Sequence, residues 1–315
     1  MDAGAPGFPF GPADHDAADM GSVLFAAQPG VAGPVFAGSC LLGALVALAM
    51  LRPIHQRLWR WLTLTLAWLI TVTLVLVLPD IRLLQNFAYA LLFVYAKLDW
   101  YVLNQAILML GGICFAVAAI GYQRRSRGAC SNCGRTKQTA KSVSNVIRWG
   151  HIATYIAVLA PLPYGLTRLA WALGIPLGID QDILTQPLTA RIGEAALASL
   201  AIGGSVVTLG LIRPWGDIWP RWIPLLAGRR IPITIPALIG GLIAILITTG
   251  ALALVRIEIM GYLGLRVVPA TPPTITGWAA GSPGWLWPFW GIALGVASLA
   301  YYYRRRSRCK VCGRN

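Results

Sequence analysis

Seven runs of predominantly apolar residues constrain this chain most: Val31 to Leu51, Trp61 to Leu78, Trp100 to Tyr122, about Trp149 to Leu173, Arg191 to Leu211, Ile231 to Val255 and Trp285 to Tyr303. Each is close to the roughly 20 residues that carry a helix across about 30 Å of hydrocarbon. Inside a bilayer no water satisfies backbone N–H and C=O groups, so such runs must close their hydrogen bonds internally as helices. Only 12% of the residues are charged, against about a quarter in soluble domains. The expected fold is therefore an all-α, multi-pass protein of the cell membrane with seven transmembrane helices. An eighth stretch, Ile81 to Ala96, is shorter, is interrupted by Arg82, Gln85 and Asn86, and is bounded by Lys97 and Asp99. It is expected to be interfacial or re-entrant.

Orientation follows from where the basic residues fall. The segments 52–60, 123–148, 213–230 and 304–315 hold 20 of the 26 Lys and Arg residues, and Asp217 is the one acid among them. Basic loops stay in the cytoplasm, so the amino terminus is expected outside and the carboxyl terminus inside. The net charge of +15 is thereby explained by orientation. Membrane lipid and a protein partner at the cytosolic face are the expected partners, and no nucleic acid is expected. Residues 1–30 carry Asp2, Asp14, Asp16 and Asp19 without Lys or Arg. They lack the basic start of a cleaved signal peptide and are expected to form a disordered acidic extracytoplasmic tail.

Two phrases recur. Leu51-Arg52-Pro53 and Arg60-Trp61-Leu62 match Ile212-Arg213-Pro214 and Arg221-Trp222-Ile223 at one constant offset, each after a spanning run. Cys130-Ser131-Asn132-Cys133-Gly134-Arg135 is matched by Cys309-Lys310-Val311-Cys312-Gly313-Arg314, the first separated by two residues from an Arg-Ser-Arg triplet and the second directly after one. The duplication predicts a 3+1+3 parallel repeat about an axis along the membrane normal. Residues 31–148 form the first three-helix repeat and end in a cytosolic CxxC loop, 149–190 form a linker helix and outer loop, and 191–315 form the second repeat and end in a cytosolic CxxC tail. The third and seventh helices are expected to meet near that axis.

Two Cys-x-x-Cys-Gly turns are the two halves of a four-thiolate zinc site, because two sulfurs on one tight loop reach one tetrahedral metal and Gly permits the bend. Cytosolic thiols are kept reduced, which disfavours a structural disulfide. The expectation is a small zinc-ribbon-like clamp in which Cys130, Cys133, Cys309 and Cys312 hold one structural zinc. Separate or intermolecular sites, a redox pair, and a mononuclear iron centre use the same ligands and stay open. Cys40 and Cys114, inside apolar runs, read as small buried hydrophobes.

Pro161-Leu162-Pro163-Tyr164-Gly165 interrupts the fourth run, where missing donors and ring clashes predict a kink or split. Arg168 lies one turn beyond it and Glu194 one turn into the fifth run. Ionisable groups at that depth call for partners, so Tyr164, Arg168, Arg191 and Glu194 form a candidate polar pocket. Asp180 and Asp182 are further candidate partners, and Tyr155, Asn104 and Gln105 could line a cavity behind the break. Lone His55 and His151 read as interfacial residues. Neither paired carboxylates nor a nucleophile motif occurs, and the inner face carries one acid, so no enzyme is expected.

The stretches Arg213-Pro214-Trp215-Gly216 to Arg221-Trp222-Ile223-Pro224 and Pro163-Tyr164-Gly165-Leu166-Thr167-Arg168-Leu169-Ala170-Trp171 resemble an uncharacterised family of multi-spanning integral membrane proteins of actinobacteria. The resemblance covers the latter half of the chain and implies no activity. The layout of three helices, a linker and three more is similar to that of the SWEET sugar transporters, although their Pro-Gln signature is missing from the corresponding helices. The functional expectation is a scaffold or partner-binding membrane protein. The alternative is a small-solute transporter with its site at the broken fourth helix and the repeat interface.

Overall fold

In the computed structural model, residues 14, 16–51, 56–93, 99–135, 140–179, 187–221, 223, 224, 226–264 and 277–313 are described, 140–144 by backbone alone. They form α1 (Pro29–Ala49), α2 (Arg57–Val72) running on into a π-helical turn (Thr73–Val77), α3 (Ile81–Leu91), α4 (Trp100–Ser126), α5 (Ala140–Leu159), α6 (Leu162–Ala172), α7 (Leu188–Leu209), α8 (Thr234–Tyr262), the one-turn α9 (Trp278–Gly281) and α10 (Trp287–Arg305). No β-strand forms among the described residues; one isolated bridge joins Ile218 and Arg230. Six segments are long and apolar enough to cross a membrane: α1, α2 with its π turn, α4, α5 with α6, α7 and α8. The seventh expected span corresponds to α10, which falls outside those six. Its inward face is built from Gly291, Ala293, Ala297 and Ala300, while Trp287, Pro288, Trp290, the tyrosines Tyr301 to Tyr303 and the last-turn Arg304 and Arg305 lower its mean apolarity. It packs closely against both α8 and α5.

Small residues set these contacts. A Cβ on Gly150 of α5 would collide with Ala300 of α10, and one on Gly291 of α10 would lie 2.8 Å from the backbone N of Thr248 in α8. Close backbone approach of this kind replaces the hydrophobic driving force that lipid cannot supply. One core joins α5, α8 and α10 around Ala157, Ile247, Ala297 and Tyr301. Another joins α1, α2 and α4 around Met50, Ala67, Ala119 and Tyr122. Between them, Val75, Leu83, Met109 and Leu246 form a third. There the π turn that ends the helix frees the carbonyl of Val75, which accepts a hydrogen bond from Thr249 Oγ1 of α8 at 2.9 Å; a buried carbonyl left without a helical partner needs one from outside.

Several boundaries depart from expectation. α5 starts at Ala140, before the expected Trp149, so a polar turn precedes the apolar part of the helix. It separates from α6 at Ala160-Pro161, at the leading edge of the expected break, whose remaining residues form the first turn of α6. α8 runs past Val255 to Tyr262 because Arg256 is held in place: its Nε, Nη1 and Nη2 donate to the carbonyls of Gly21, Val77 and Pro79, each at 2.8 Å. Cys40 and Cys114 are exposed, not buried; each lies on the outer surface of a helix whose whole circumference is apolar. α4 and α10, expected to meet along an axis, share no extensive packing; the halves meet where α8 packs on α3 and the π turn.

The segment 1–30 departs furthest. Of its described part, residues 16–26 form turns, and Asp14 accepts from Arg82 Nη1 at 2.9 Å and from Nη2 at 2.5 Å. The same guanidinium contacts Asp80, a fully buried residue that also caps α3 and bonds Gln105 of α4. α3 therefore turns Arg82 and Asn86 inward. Its 11 residues span about 16 Å, too short to cross a bilayer.

Arg82→Leu would leave two buried carboxylates without their cation and is expected to lower unfolding stability by about 3–5 kcal/mol. Arg82→Lys, which keeps the charge and loses the fork, should recover only part of it. Denaturation in detergent micelles checks both; wild-type stability in Arg82→Leu would show that the network carries no load.

Candidate metal centre

Beyond Ser126 the chain leaves α4 through Gly128, and beyond Arg305 it leaves α10 in extended conformation at Arg306. Each exit leads into the same turn. Gly134 N–H donates to the carbonyl of Cys130 at 2.8 Å, and Gly313 N–H to that of Cys309 at 2.9 Å. Both glycines have positive φ, 71° and 68°, a backbone region that side chains rarely enter. Glycine at that place curls each turn so that its two sulfurs face one point.

The two turns face each other. The Sγ atoms of Cys130, Cys133, Cys309 and Cys312 all lie within 4.8 Å of one another. Two of the contacts cross between the hairpins: Cys130 to Cys309 at 4.0 Å and Cys133 to Cys312 at 3.5 Å. A tetrahedral zinc with bonds of about 2.3 Å sets its sulfurs about 3.8 Å apart. The four sulfurs therefore fit one ion with small adjustments, and none of them is in a disulfide. A mononuclear iron centre would fit the same donors.

The surroundings favour ionised sulfur at two positions. Backbone N–H groups of Cys133 and Asn132 lower the pKa of Cys130, and those of Cys312 and Val311 bring Cys309 down to about 6. Burial pushes Cys133 the other way, up to about 11. A dication among the sulfurs reverses that effect, since a coordinating thiol is ionised outright. Four thiolates around a dication carry two net negative charges, and arginines surround them. Arg135 donates to the carbonyl of Ser307 at 3.1 Å, Arg306 to that of Cys133 at 3.4 Å, and Arg124 to those of Ser131 and Asn132 at 3.2 Å. The first two bonds cross from one hairpin to the other, as does Asn132 Nδ2 to Cys309 Sγ at 3.8 Å.

Three of the four candidate polar-pocket residues come together away from this centre. Arg168 of α6 pairs with Glu194 of α7 at 3.1 Å, and its guanidinium lies over the rings of Trp171 and Tyr164 at 4.3 and 4.8 Å. Tyr164 meets Trp287 edge to face. Arg191 turns elsewhere and donates to the carbonyl of Ala172 at the end of α6. Asp180, Asp182 and His55 lie outside the described residues. Gln105 belongs to the Asp80 network, Asn104 bonds its own helix, and Tyr155 and His151 are exposed. The expected cavity behind the break therefore does not gather those side chains.

The Asp14–Arg82–Asp80–Gln105 network escaped the sequence reading because its members are 68 and 25 residues apart. Only the capping pattern of Asp80 before Arg82 is local. No protein-family model, curated protein or solved structure matches the chain.

Purified protein is expected to carry one metal ion per chain. Cys133→Ser or Cys312→Ser should weaken its binding by more than the roughly 10–100-fold that loss of a mere supporting group costs. The folded state holds Cys309 ionised below the ordinary thiol range, so its stabilisation is present at high pH and is lost as pH falls through about 6. Protons compete with the metal for all four sulfurs, so metal retention should fall as pH is lowered, measured by elemental analysis after dialysis. Undiminished metal in both serine variants would remove these sulfurs from the site.

Proposed function

We propose that this chain is an integral cell-membrane protein in which one cytosolic zinc, held by Cys130, Cys133, Cys309 and Cys312, staples two three-helix repeats together. Its role is that of a scaffold or partner-binding subunit, not an enzyme. The observation that carries the reading is the convergence of four sulfurs within 4.8 Å from positions some 175 residues apart. A four-sulfur shell has no open coordination position, the mark of a structural site. Because α4 and α10 lack extensive packing with each other, an ion between their ends adds a strong connection to the few side-chain bonds that cross between the hairpins.

In this reading α1, α2 and α4 correspond to α7, α8 and α10, with α5 and α6 as the linker, the amino terminus outside and both Cys hairpins in the cytoplasm. The hydrogen bonds of the basic residues support that grouping. Arg125 reaches the carbonyl of Met50 after α1, and Arg60 at the start of α2 reaches that of Ser126 at the end of α4. Arg304 and Arg305 at the end of α10 reach those of Leu211 after α7 and Ile231 before α8. The basic face that results, with Asp217 already paired to Arg304 and Arg305, suits an acidic protein surface or anionic lipid. The transporter reading draws on Arg168 and Glu194, but each has the other as partner and aromatic rings cover the cation. That arrangement suits a structural pair better than a solute site.

Chelation is expected to open both hairpins to trypsin together, at Arg127 and Arg135 in one and at Arg308 and Lys310 in the other, and to lower the melting temperature while helix content by circular dichroism is kept. Opening of only one hairpin, or no change, would contradict a shared ion. Arg168→Ala should lower stability without creating or abolishing any solute-induced thermal shift; a shift present in wild type and lost in the variant would favour transport.

A further inference from the structure

α7 and α8 are consecutive in the chain yet share no extensive packing, since α7 lies on α6 and α5 while α8 lies on α10. Between them opens a cavity of about 350 Å³, within the range of ligand sites. Its walls are apolar side chains such as Val207, Ile235, Ile239 and Leu294, with Trp215 and Trp219 at one end. The single hydroxyl on its wall, that of Thr208, is spent on the carbonyl of Gly204 in its own helix. From Ile235 to Ile243 the groove follows α8 for about 12 Å, and Ile231 and Trp219 extend it. That length is close to one leaflet of a bilayer, about 15 Å.

The Trp end is basic. Arg221 and Arg230 are exposed and lie beside the wall residues Pro220 and Ile231 in the chain, with Arg229 next to them. None of the three has a side-chain partner among the described residues. Asp217, the one acid of this loop, is occupied by Arg304 and Arg305. An apolar slot one leaflet long with tryptophans and unpaired guanidinium groups at its mouth matches an amphiphile with one anionic head.

We propose that the α7–α8 groove is a binding site for an anionic phospholipid, one acyl chain lying between the helices and its phosphate at Arg221, Arg229 and Arg230. The site rests on the membrane reading and is independent of the metal clamp. Gly204 offers a way to block it, since it lines the groove and a Cβ there meets nothing within 4 Å.

The test is native mass spectrometry of the detergent-purified full chain with phosphatidylglycerol and phosphatidylcholine of identical acyl chains. Wild type is expected to retain one phosphatidylglycerol in preference to phosphatidylcholine. Arg221→Gln, Arg229→Gln and Arg230→Gln should each reduce the preference by about fivefold or less, and together abolish it. Gly204→Leu should fill the slot and remove the bound lipid while the melting temperature in phosphatidylcholine stays at the wild-type value. Glycerophosphoglycerol, the head without chains, should not compete. Equal retention of the two lipids, competition by the free head group, or unchanged lipid in Gly204→Leu would overturn the proposal. So would a dimer that Gly204→Leu dissolves, which would assign the groove to a second copy.

Discussion

Four sulfurs gathered at the ends of two helices that share no extensive packing are the constraint on which this architecture depends. α4 and α10 each end in an arginine-rich turn, leave the helix, and curl through a glycine so that two thiols point at the other hairpin. Bringing four such groups within 4.8 Å of one another without a cation would crowd sulfurs of which two, those of Cys130 and Cys309, are favoured as thiolates by backbone N–H groups. A dication removes that repulsion and converts the crowding into binding, with the arginine bonds between hairpins offsetting the remaining negative charge. The carbonyls that Arg135 and Arg306 reach, those of Ser307 and Cys133, belong to the opposite hairpin, so the basic surroundings hold the same geometry that the ion would.

At the other end of the helices, polar groups do the joining. Arg82 between Asp14 and Asp80, and Arg256 across three carbonyls, tie the segment before α1, the end of α2, α3 and α8 into one knot. Asp14 and Asp80 balance Arg82 and Arg256, so the knot is neutral, which makes its burial tolerable. Between the two ends, glycine and alanine contacts and the Val75–Thr249 hydrogen bond fix how α8 lies against the first half. The molecule thus gathers four sulfurs at one end and buried ion pairs at the other, with small-residue packing between.

Much of this was legible in the chain. The helices and the thiol cluster rest on local signals: apolar run length, basic loops, and a Cys-x-x-Cys-Gly turn written twice. The Arg168–Glu194 pair could be anticipated because two ionisable groups at similar depth need each other. What escaped depends on long-range geometry. Nothing near Asp14 marks it as a partner for Arg82, and the acidic stretch around it reads as a solvated tail. The inward turn of α3 follows from that pairing, so its polar residues looked interfacial. Arg256 ended the apolar run on paper, yet the helix continues through it because three carbonyls from other segments surround it. Cys40 and Cys114 show the opposite error: on a helix apolar all round, composition cannot separate the face that meets protein from the face that does not.

Whether both hairpins share one ion can be read from X-ray absorption at the metal edge of the purified chain. A shared ion gives zinc with four sulfur neighbours at about 2.3 Å and no nitrogen or oxygen bound to it. A shell of two sulfurs completed by lighter atoms would mean that each hairpin binds separately, and would contradict the clamp.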